Sequence, residues 1–484
     1  MNIKKISMVH KRTKIIATIG PSCEAKEKML KLFSLGVNVI RLNFSHGDYE
    51  EHLKRIEITK EYNKKTLRPI SILLDTKGPE IRVGKIHNGQ ELIKANSKVI
   101  IDSSLNAYQN EMGDKNHLTV SYEMAKDLKV NDYVLLDDGK LQLIVEKIQG
   151  SLIYTKAFNS HLLKTNKRVN LPGINFTLPF LSAKDKENIT WGVKHDIDMI
   201  AASFVNCKED ILELRAMLKE LNALNVQIIA KIESQLGIKN IDEIIEVSDG
   251  IMIARGDLGL EVPYYDVPFL EKVIIRKCRA KNKIVIVATQ MLESMTYNPH
   301  PTRAEVTDVY YATELGADAT MLSGESASGD YPAIAVETMA TINQRAEMEF
   351  YSKIYYDKYL SEKSKTYKNS ERERIALKIA QLTKNNKYKF AIVFSTTGKL
   401  LKVVSSLRPN TNIIGVSKNS KLATFFGVWH SITMANSENY FKIKENNFYA
   451  TVLAKAYGAQ NNDYVLLVRN DSNQEHITEF LIKN

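Results

Sequence analysis

Cysteine is nearly absent from this chain of 484 residues: Cys23, Cys207 and Cys278 are the only three. They are widely separated, odd in number and form no C-x-x-C pair, so a disulfide framework and a thiolate zinc site are excluded and small buried residues are expected. Long apolar runs are missing too, since stretches such as Ile284 to Ala288 fall far short of the ~18 residues of a membrane-spanning helix. Lys4, Lys5, Lys11, Arg12 and Lys14 open the chain, but the apolar run after them is too short for a signal peptide. A cytoplasmic address without membrane contact is expected. The sequence also lacks a G-x-x-x-x-G-K-[ST] loop and a G-x-G-x-x-G fingerprint, so no P-loop or Rossmann-type hold on a nucleotide is expected.

What remains is a soluble composition, 44% hydrophobic and 25% charged, that suits a folded protein rather than a disordered one. At ~100 to 200 residues per domain the length suggests two to four domains. The net charge of +11 draws anions, whether phosphorylated metabolites or nucleic acid. The lysines are spread along the chain with no basic run interleaved with aromatics, so a nucleic-acid partner is not expected.

Between residues 13 and 350, short β-rich apolar runs alternate with amphipathic segments. The runs are Lys14 to Ile19, Val37 to Phe44, Ile70 to Thr76, Asp198 to Val205, Val226 to Ile232, Gly250 to Ala254, Ile284 to Thr289 and Ala319 to Ser323. Helical patterns lie between them, for example Glu209 to Leu221 and Arg303 to Leu315, the latter introduced by Thr302 as a capping residue. Eight strand-then-helix repeats are what a closed (β/α)8 TIM barrel requires, and an open doubly wound sheet is the second choice. One interruption, between Thr76 and Leu181, reads as an inserted all-β domain, with strand-like Ser97 to Ile101, Tyr133 to Leu136 and Leu141 to Ile148 and a turn at Asp137-Asp138-Gly139. After a charged helical stretch from Glu362 to Lys387, the runs Phe390 to Ser395, Asn412 to Val416, Ser431 to Met434 and Tyr464 to Val468 indicate a C-terminal α/β domain. The expected division is a barrel from 1–78 and 173–345, an inserted β domain at 79–172 and a C-terminal domain at 346–484.

In such a barrel the chemistry sits at the C-terminal ends of the strands. The second run ends Arg41-Leu42-Asn43-Phe44-Ser45-His46, where a period of two puts Arg41, Asn43 and Ser45 on one face. The third ends Asp75-Thr76-Lys77, the fifth Lys231-Ile232-Glu233, the sixth Arg255-Gly256-Asp257, the seventh Thr289-Gln290 and the eighth Ser323-Gly324-Glu325. Each has a bland reading; Lys231 with Glu233 as a structural ion pair is one, and Thr289 as a β-former with a satisfied hydroxyl is another. So many polar groups at one rim cost stability unless they bind something. Glu233 and Asp257, with no accompanying His or Cys, suit a hard cation such as magnesium. Arg41, Arg82 and Lys231 suit phosphate or carboxylate. Anion and magnesium together point to phosphoryl transfer, which needs positioning and charge neutralisation more than a covalent nucleophile.

At these residues the sequence resembles the pyruvate kinase family. The resemblance runs from about Thr13 to about residue 345, through Thr13-Lys14-Ile15, Thr18-Ile19-Gly20-Pro21, Arg41 to Gly47, Leu74 to Arg82, Asn170-Leu171-Pro172-Gly173, Lys231-Ile232-Glu233, Asp249 to Gly259, Ala288 to Met295, Pro301 to Glu305 and Leu322 to Glu325. It implies a barrel whose inserted domain closes as a lid, an effector-type C-terminal domain, a homotetramer, and the substrates phosphoenolpyruvate and ADP with magnesium (or manganese) and potassium. By the family's pattern, Glu233 and Asp257 match the magnesium ligands and Asn43, Ser45, Asp75 and Thr76 the potassium ligands. Lys231 matches the catalytic lysine, Arg41 a phosphate contact, Thr289 the threonine near the carbon to be protonated, and Gly256 a substrate-contacting backbone position. Asn43, His46, Arg82 and Lys184 match nucleotide or phosphate contacts. Glu80 stands where potassium-independent members carry lysine, so a potassium requirement is expected.

Four departures stand out. Leu236 replaces a usual polar residue, and Asn206 stands where arginine is common. In the C-terminal domain, Ser395-Thr396-Thr397-Gly398-Lys399-Leu400 has Leu400 where a hydroxyl is typical, and Arg469-Asn470-Asp471-Ser472-Asn473-Gln474 replaces a glycine-containing loop. Weak or no activation by fructose 1,6-bisphosphate follows. The rival readings are a barrel lyase or aldolase that stabilises a pyruvate enolate without phosphoryl transfer, and an inactive binding paralogue.

Overall fold

Eight short parallel strands close into a barrel in the order β1-β17-β16-β15-β14-β13-β3-β2 in the computed structural model, which describes residues 11–174, 178–352, 354–367, 370–435, 447–471 and 474–483. The barrel strands are β1 (Lys14–Thr18), β2 (Val39–Asn43), β3 (Ser71–Asp75), β13 (Met199–Ala202), β14 (Gln227–Ile232), β15 (Gly250–Ala254), β16 (Ile284–Ala288) and β17 (Ala319–Leu322). All eight expected runs form strands, each ending at or just inside the apolar stretch. Both faces of these strands are buried, which is why they read as continuous apolar runs. Alternation still sorts them: Ile15 and Ala17 pack outward with Ile251 and Ile253 beneath the helices, whereas Ile16, Met252, Ile286 and Met321 fill the interior. The helices begin where capping chemistry allows. Thr302 and Glu305 form a capping box on Arg303–Glu314, as do Ser182 and Asp185 on Ala183–Lys194.

Between β3 and β13 the described residues form nine strands: β4 (Ile81–Arg82), β5 (Gln90–Ile93), β6 (Lys98–Asp102), β7 (His117–Thr119), β8 (Tyr133–Leu136), β9 (Leu141–Gln149), β10 (Leu152–Ala157), β11 (His161–Lys164) and β12 (Arg168–Asn170). Seven form one sheet in the order β4-β12-β8-β9-β10-β6-β7, and β11 pairs with β5. The sheet has its own core around Ile101, Val134, Leu143 and Ile153. The turn at Asp137-Asp138-Gly139 has positive φ at all three residues, 51°, 56° and 77°, a conformation that Asp and Gly tolerate best.

The C-terminal sheet runs β20-β19-β18-β21-β22, from β18 (Tyr388–Phe394), β19 (Asn412–Val416), β20 (Ile432–Met434), β21 (Tyr464–Asp471) and β22 (Gln474–Leu481). The first four are parallel to their neighbours and β22 is an antiparallel edge. That last strand was not expected, because Gln-Glu-His-Ile-Thr-Glu carries no apolar run of the kind a buried parallel strand shows. The expected helical stretch from Glu362 to Lys387 is instead the end of one helix, Ile354–Thr366, and a second, Glu371–Thr383. Ser472 and Asn473 of the substituted loop lie outside the described residues. Cys23 and Cys278 are buried as expected, but Cys207 is only half-buried, at the N-cap of helix Lys208–Glu220.

The C-terminal domain seals the floor of the barrel. Lys14 donates to Ile432 O at 2.6 Å, Trp429 Nε1 to Gln227 Oε1 at 3.0 Å, and Thr424 Oγ1 to Asp198. Gly427 approaches Ser71 so closely that an added Cβ would lie 1.8 Å from its Oγ. Deepest is Asp318, which takes the Arg408 guanidinium at 2.8 Å and the amides of Val285 and His430 at 3.0 and 3.1 Å. Both charged side chains are 2% exposed. Asp318→Ala would leave the guanidinium buried and unpaired, so we expect a loss of ~3–5 kcal/mol in urea unfolding. An unchanged midpoint would show that this pair does not hold the two domains together.

Candidate active site

The opposite end of the barrel gathers charge. Lys231, near the end of β14, is 8% exposed. Its ammonium lies 3.1 Å from Asp75 Oδ1 at the end of β3, 3.1 Å from Glu233 Oε1 and 2.7 Å from Ser203 Oγ beyond β13. Arg41 on β2 donates from Nε to the other oxygen of Asp75 at 2.6 Å and from Nη1 to Thr18 Oγ1 at 2.9 Å. Ser203 Oγ donates to Thr76 O at 2.7 Å, and Thr76 Oγ1 accepts the Ser203 amide at 3.0 Å. Five neighbouring strands, β1, β2, β3, β13 and β14, thus meet in one hydrogen-bonded network.

Burial and charge oppose each other here. Burial alone would depress the Lys231 ammonium, but Asp75 and Glu233 more than offset it and hold it above the ordinary lysine range. Burial would raise Asp75; Arg41 and Lys231 overcome this and keep it below the usual carboxylate range. Glu233 goes the other way: burial first, then the nearby charge of Asp257, outweigh Lys231 and raise it. Glu233 therefore lies beside a second carboxylate whose charge the lysine does not cancel. An all-oxygen pair in that condition fits a hard divalent cation, which typically takes one or two carboxylates and completes its shell from substrate and water. Among the described residues no group of three or more His, Cys, Asp or Glu could hold a metal alone, so a cation held here would draw other oxygens as ligands.

The seventh strand delivers Thr289 just past β16 with a φ of 66°, followed by Gln290 at 52°. A β-branched residue there is costly. Arg255, buried at the start of helix Arg255–Glu261, holds the turn: its Nη2 donates to Thr289 O at 2.8 Å and to Gln290 O at 3.2 Å, while Nη1 reaches Glu271 at 3.2 Å and Asp308 at 2.6 Å. The turn aims Thr289 Oγ1 at the Gly256 amide, 2.8 Å away, and that hydroxyl also donates to Ala288 O at 2.6 Å.

Of the residues expected at the site, Arg41, Asp75, Thr76, Lys231 and Glu233 belong to this network, and Thr289 pairs with Gly256. Asn43 sits beside Asp75 in register across β2 and β3. Ser45 lies past the end of β2 rather than on its polar face, because Asn43 Oδ1 accepts the Ser45 amide at 3.1 Å and turns the chain. His46 is exposed in the same turn. Arg82 is engaged by Glu80, at 2.6 and 3.1 Å, and by Asn166 O. Lys184 rests 4.8 Å over the Tyr49 ring and bonds Glu187. Glu325 does not face the mouth: fully buried, it accepts the amides of Leu292 and Ser323 at 3.0 and 2.7 Å and braces the seventh and eighth loops. Ser203 was missed although it obeys the same rule, a polar residue at a strand's C-terminal end. Arg168 gave no signal, since it belongs to the inserted sheet.

The mouth of this parallel barrel gathers three acids, a buried ammonium and guanidinium groups, a set of charges suited to a phosphotransferase. A family profile described as pyruvate kinase, barrel domain, matches residues 10–336. A pyruvate kinase of Geobacillus stearothermophilus is 42% identical over 87% of this chain and 71% of its own. One from Mycoplasma pneumoniae is 42% identical over 88% of this chain and 90% of its own. The solved structure of a pyruvate kinase from Cryptosporidium parvum superposes with a TM-score of 0.87 at 33% identity, covering 98% of this chain and 96% of that one. The chain belongs to the pyruvate kinase family.

Arg255→Lys keeps the charge but loses the fork that holds the two carbonyls. We expect kcat to fall ~10²-fold through misplacement of Thr289, with KM and melting temperature little changed. Wild-type turnover in that variant would show that the turn holds itself.

Proposed function

We propose that this mouth transfers the phosphoryl group of phosphoenolpyruvate to ADP, with Lys231 as its central catalytic residue. The supporting observation is the buried ammonium fixed between Asp75, Glu233 and Ser203. It stays protonated and meets negative charge as it develops on the moving phosphoryl group and on the enolate left behind. Arg41 orients the phosphate from the side of Asp75. Thr289, held against the Gly256 amide, stands where the enolate carbon takes its proton. Glu233 and Asp257 would hold magnesium, which when bound supplies charge neutralisation between phosphoryl donor and acceptor. Asn43, Ser45, Asp75 and Thr76 would hold potassium. His46, Arg82 and Lys184 lie outside the network and are assigned to the nucleotide's phosphates, to be met as the inserted domain closes and excludes water.

Exposed Tyr264, Tyr265, Phe269 and Tyr297 support a homotetramer. Among the described residues no helix is long and apolar enough to cross a membrane, and a cytoplasmic role is proposed with it. Leu400 is buried at 5% in the core of the C-terminal domain rather than offered to a ligand, which supports weak or no activation by fructose 1,6-bisphosphate.

The decisive assay couples phosphoenolpyruvate and ADP, with magnesium, to detection of pyruvate and ATP. Lys231→Met should fold and lose roughly 10²–10³-fold or more in kcat; retention of most of the rate would refute the role. Pyruvate without ATP would favour the lyase reading. Activity should collapse when potassium is replaced by a bulky organic cation, and a full rate without any small monovalent cation would overturn the potassium site.

A further inference from the structure

One side chain of the inserted sheet reaches into the mouth, and the reaction as described does not use it. Arg168, on β12 beside Arg82 of β4, donates through Nη1 to Asp257 Oδ1. Its guanidinium rests 4.7 Å from the centre of the Phe204 ring, and Phe204's own amide donates to Glu233 at 2.7 Å. The side chain is 15% exposed. Its other terminal nitrogen, Nη2, is buried without a hydrogen-bond partner. An orphaned buried donor costs free energy, which weakens the hold of this pair. Here half the fork is unused while the other half occupies a carboxylate assigned to magnesium.

The Gly173 amide donates to Glu261 at 3.1 Å, and Gly139 packs near Leu260. Both partners lie on helix Arg255–Glu261, the helix that carries Asp257. Beside them a cavity of about 350 Å³ separates the sheet from the barrel; Arg168, Glu80, Asn170, Asn206, Leu236 and Glu261 are among its walls. The two departures Leu236 and Asn206 therefore line the space into which a released Arg168 would swing.

We infer that Arg168 is a positioning residue borne by the lid, the resident counter-ion of Asp257, which clamps the inserted domain onto the barrel while no divalent cation is bound and competes with that cation for the carboxylate. The inference rests on the magnesium site proposed above. Two cations against one carboxylate oxygen repel each other, so metal binding must displace the guanidinium, and the guanidinium must weaken metal binding in the free enzyme. Lid and metal are thereby coupled: the divalent cation at Asp257 releases the resting clamp, and the closure over nucleotide proposed above is a separate, later step.

The test uses the full chain and Mn2+ alone, titrated without substrate or nucleotide and read from the electron paramagnetic resonance of free Mn2+. Arg168→Met keeps the stem over Phe204 and removes the charge; it should bind Mn2+ ~10-fold or more tighter than wild type, with Arg168→Lys in between. Amide exchange in residues 79–172 should accelerate on adding Mn2+ to wild type, and be fast and metal-insensitive in Arg168→Met. Equal or weaker Mn2+ binding by Arg168→Met, with binding still abolished by Glu233→Gln, would overturn the competition while leaving the metal site standing. Mn2+ binding indifferent to Glu233→Gln would remove the metal from this mouth and the inference with it.

Discussion

The ammonium of Lys231 is the charge around which the mouth is arranged. Removing such a group from water is costly unless carboxylates and hydroxyls replace the lost hydration. Asp75, Glu233 and Ser203 do so from three different strands, so the closed barrel is a precondition of the charge rather than a neutral frame for it. The same partners keep it protonated. A site that must stabilise negative charge on a moving phosphoryl group needs a cation of this kind, fixed in advance and shielded from solvent.

The remaining features follow from what that balance leaves over. Glu233 and Asp257 set two carboxylates side by side, whose charge a hard cation can neutralise and, in this conformation, an arginine from the neighbouring domain partly neutralises. The strained turn at Thr289 is tolerable because Arg255 binds both of its carbonyls and is itself fixed by Glu271 and Asp308. Strain confined to the site and supported from outside it is the usual economy of an active centre.

The eight barrel strands were legible because parallel strands buried on both faces leave unbroken apolar runs, and because Ile, Val and Ala dominate them. The core of the site was legible for a related reason: polar residues such as Asp75, Lys231 and Glu233 stand out at the ends of such runs. Legibility failed where the pattern carried no contrast. β22 is a polar edge strand that resembles a loop. A period of two puts Ser45 on the strand face, but the local Asn43 bond has already turned the chain there. Arg168 is one basic residue among 67 lysines and arginines, and only the docking of two domains gives it a partner. Glu325 looked like a rim residue, yet its carboxylate points inward to two amides, a distinction that depends on loop geometry.

The sealed floor has a mechanical meaning. Lys14, Ser71, Gln227 and Asp318 are gripped by the C-terminal domain at one end of β1, β3, β14 and β17, while Thr18, Asp75, Lys231 and Ser323 stand at the other. Each strand is a stiff rod of ~13 Å between grip and tip, cross-braced by its neighbours. The grip and the charged mouth are thus the two ends of the same four strands, with no loop between them.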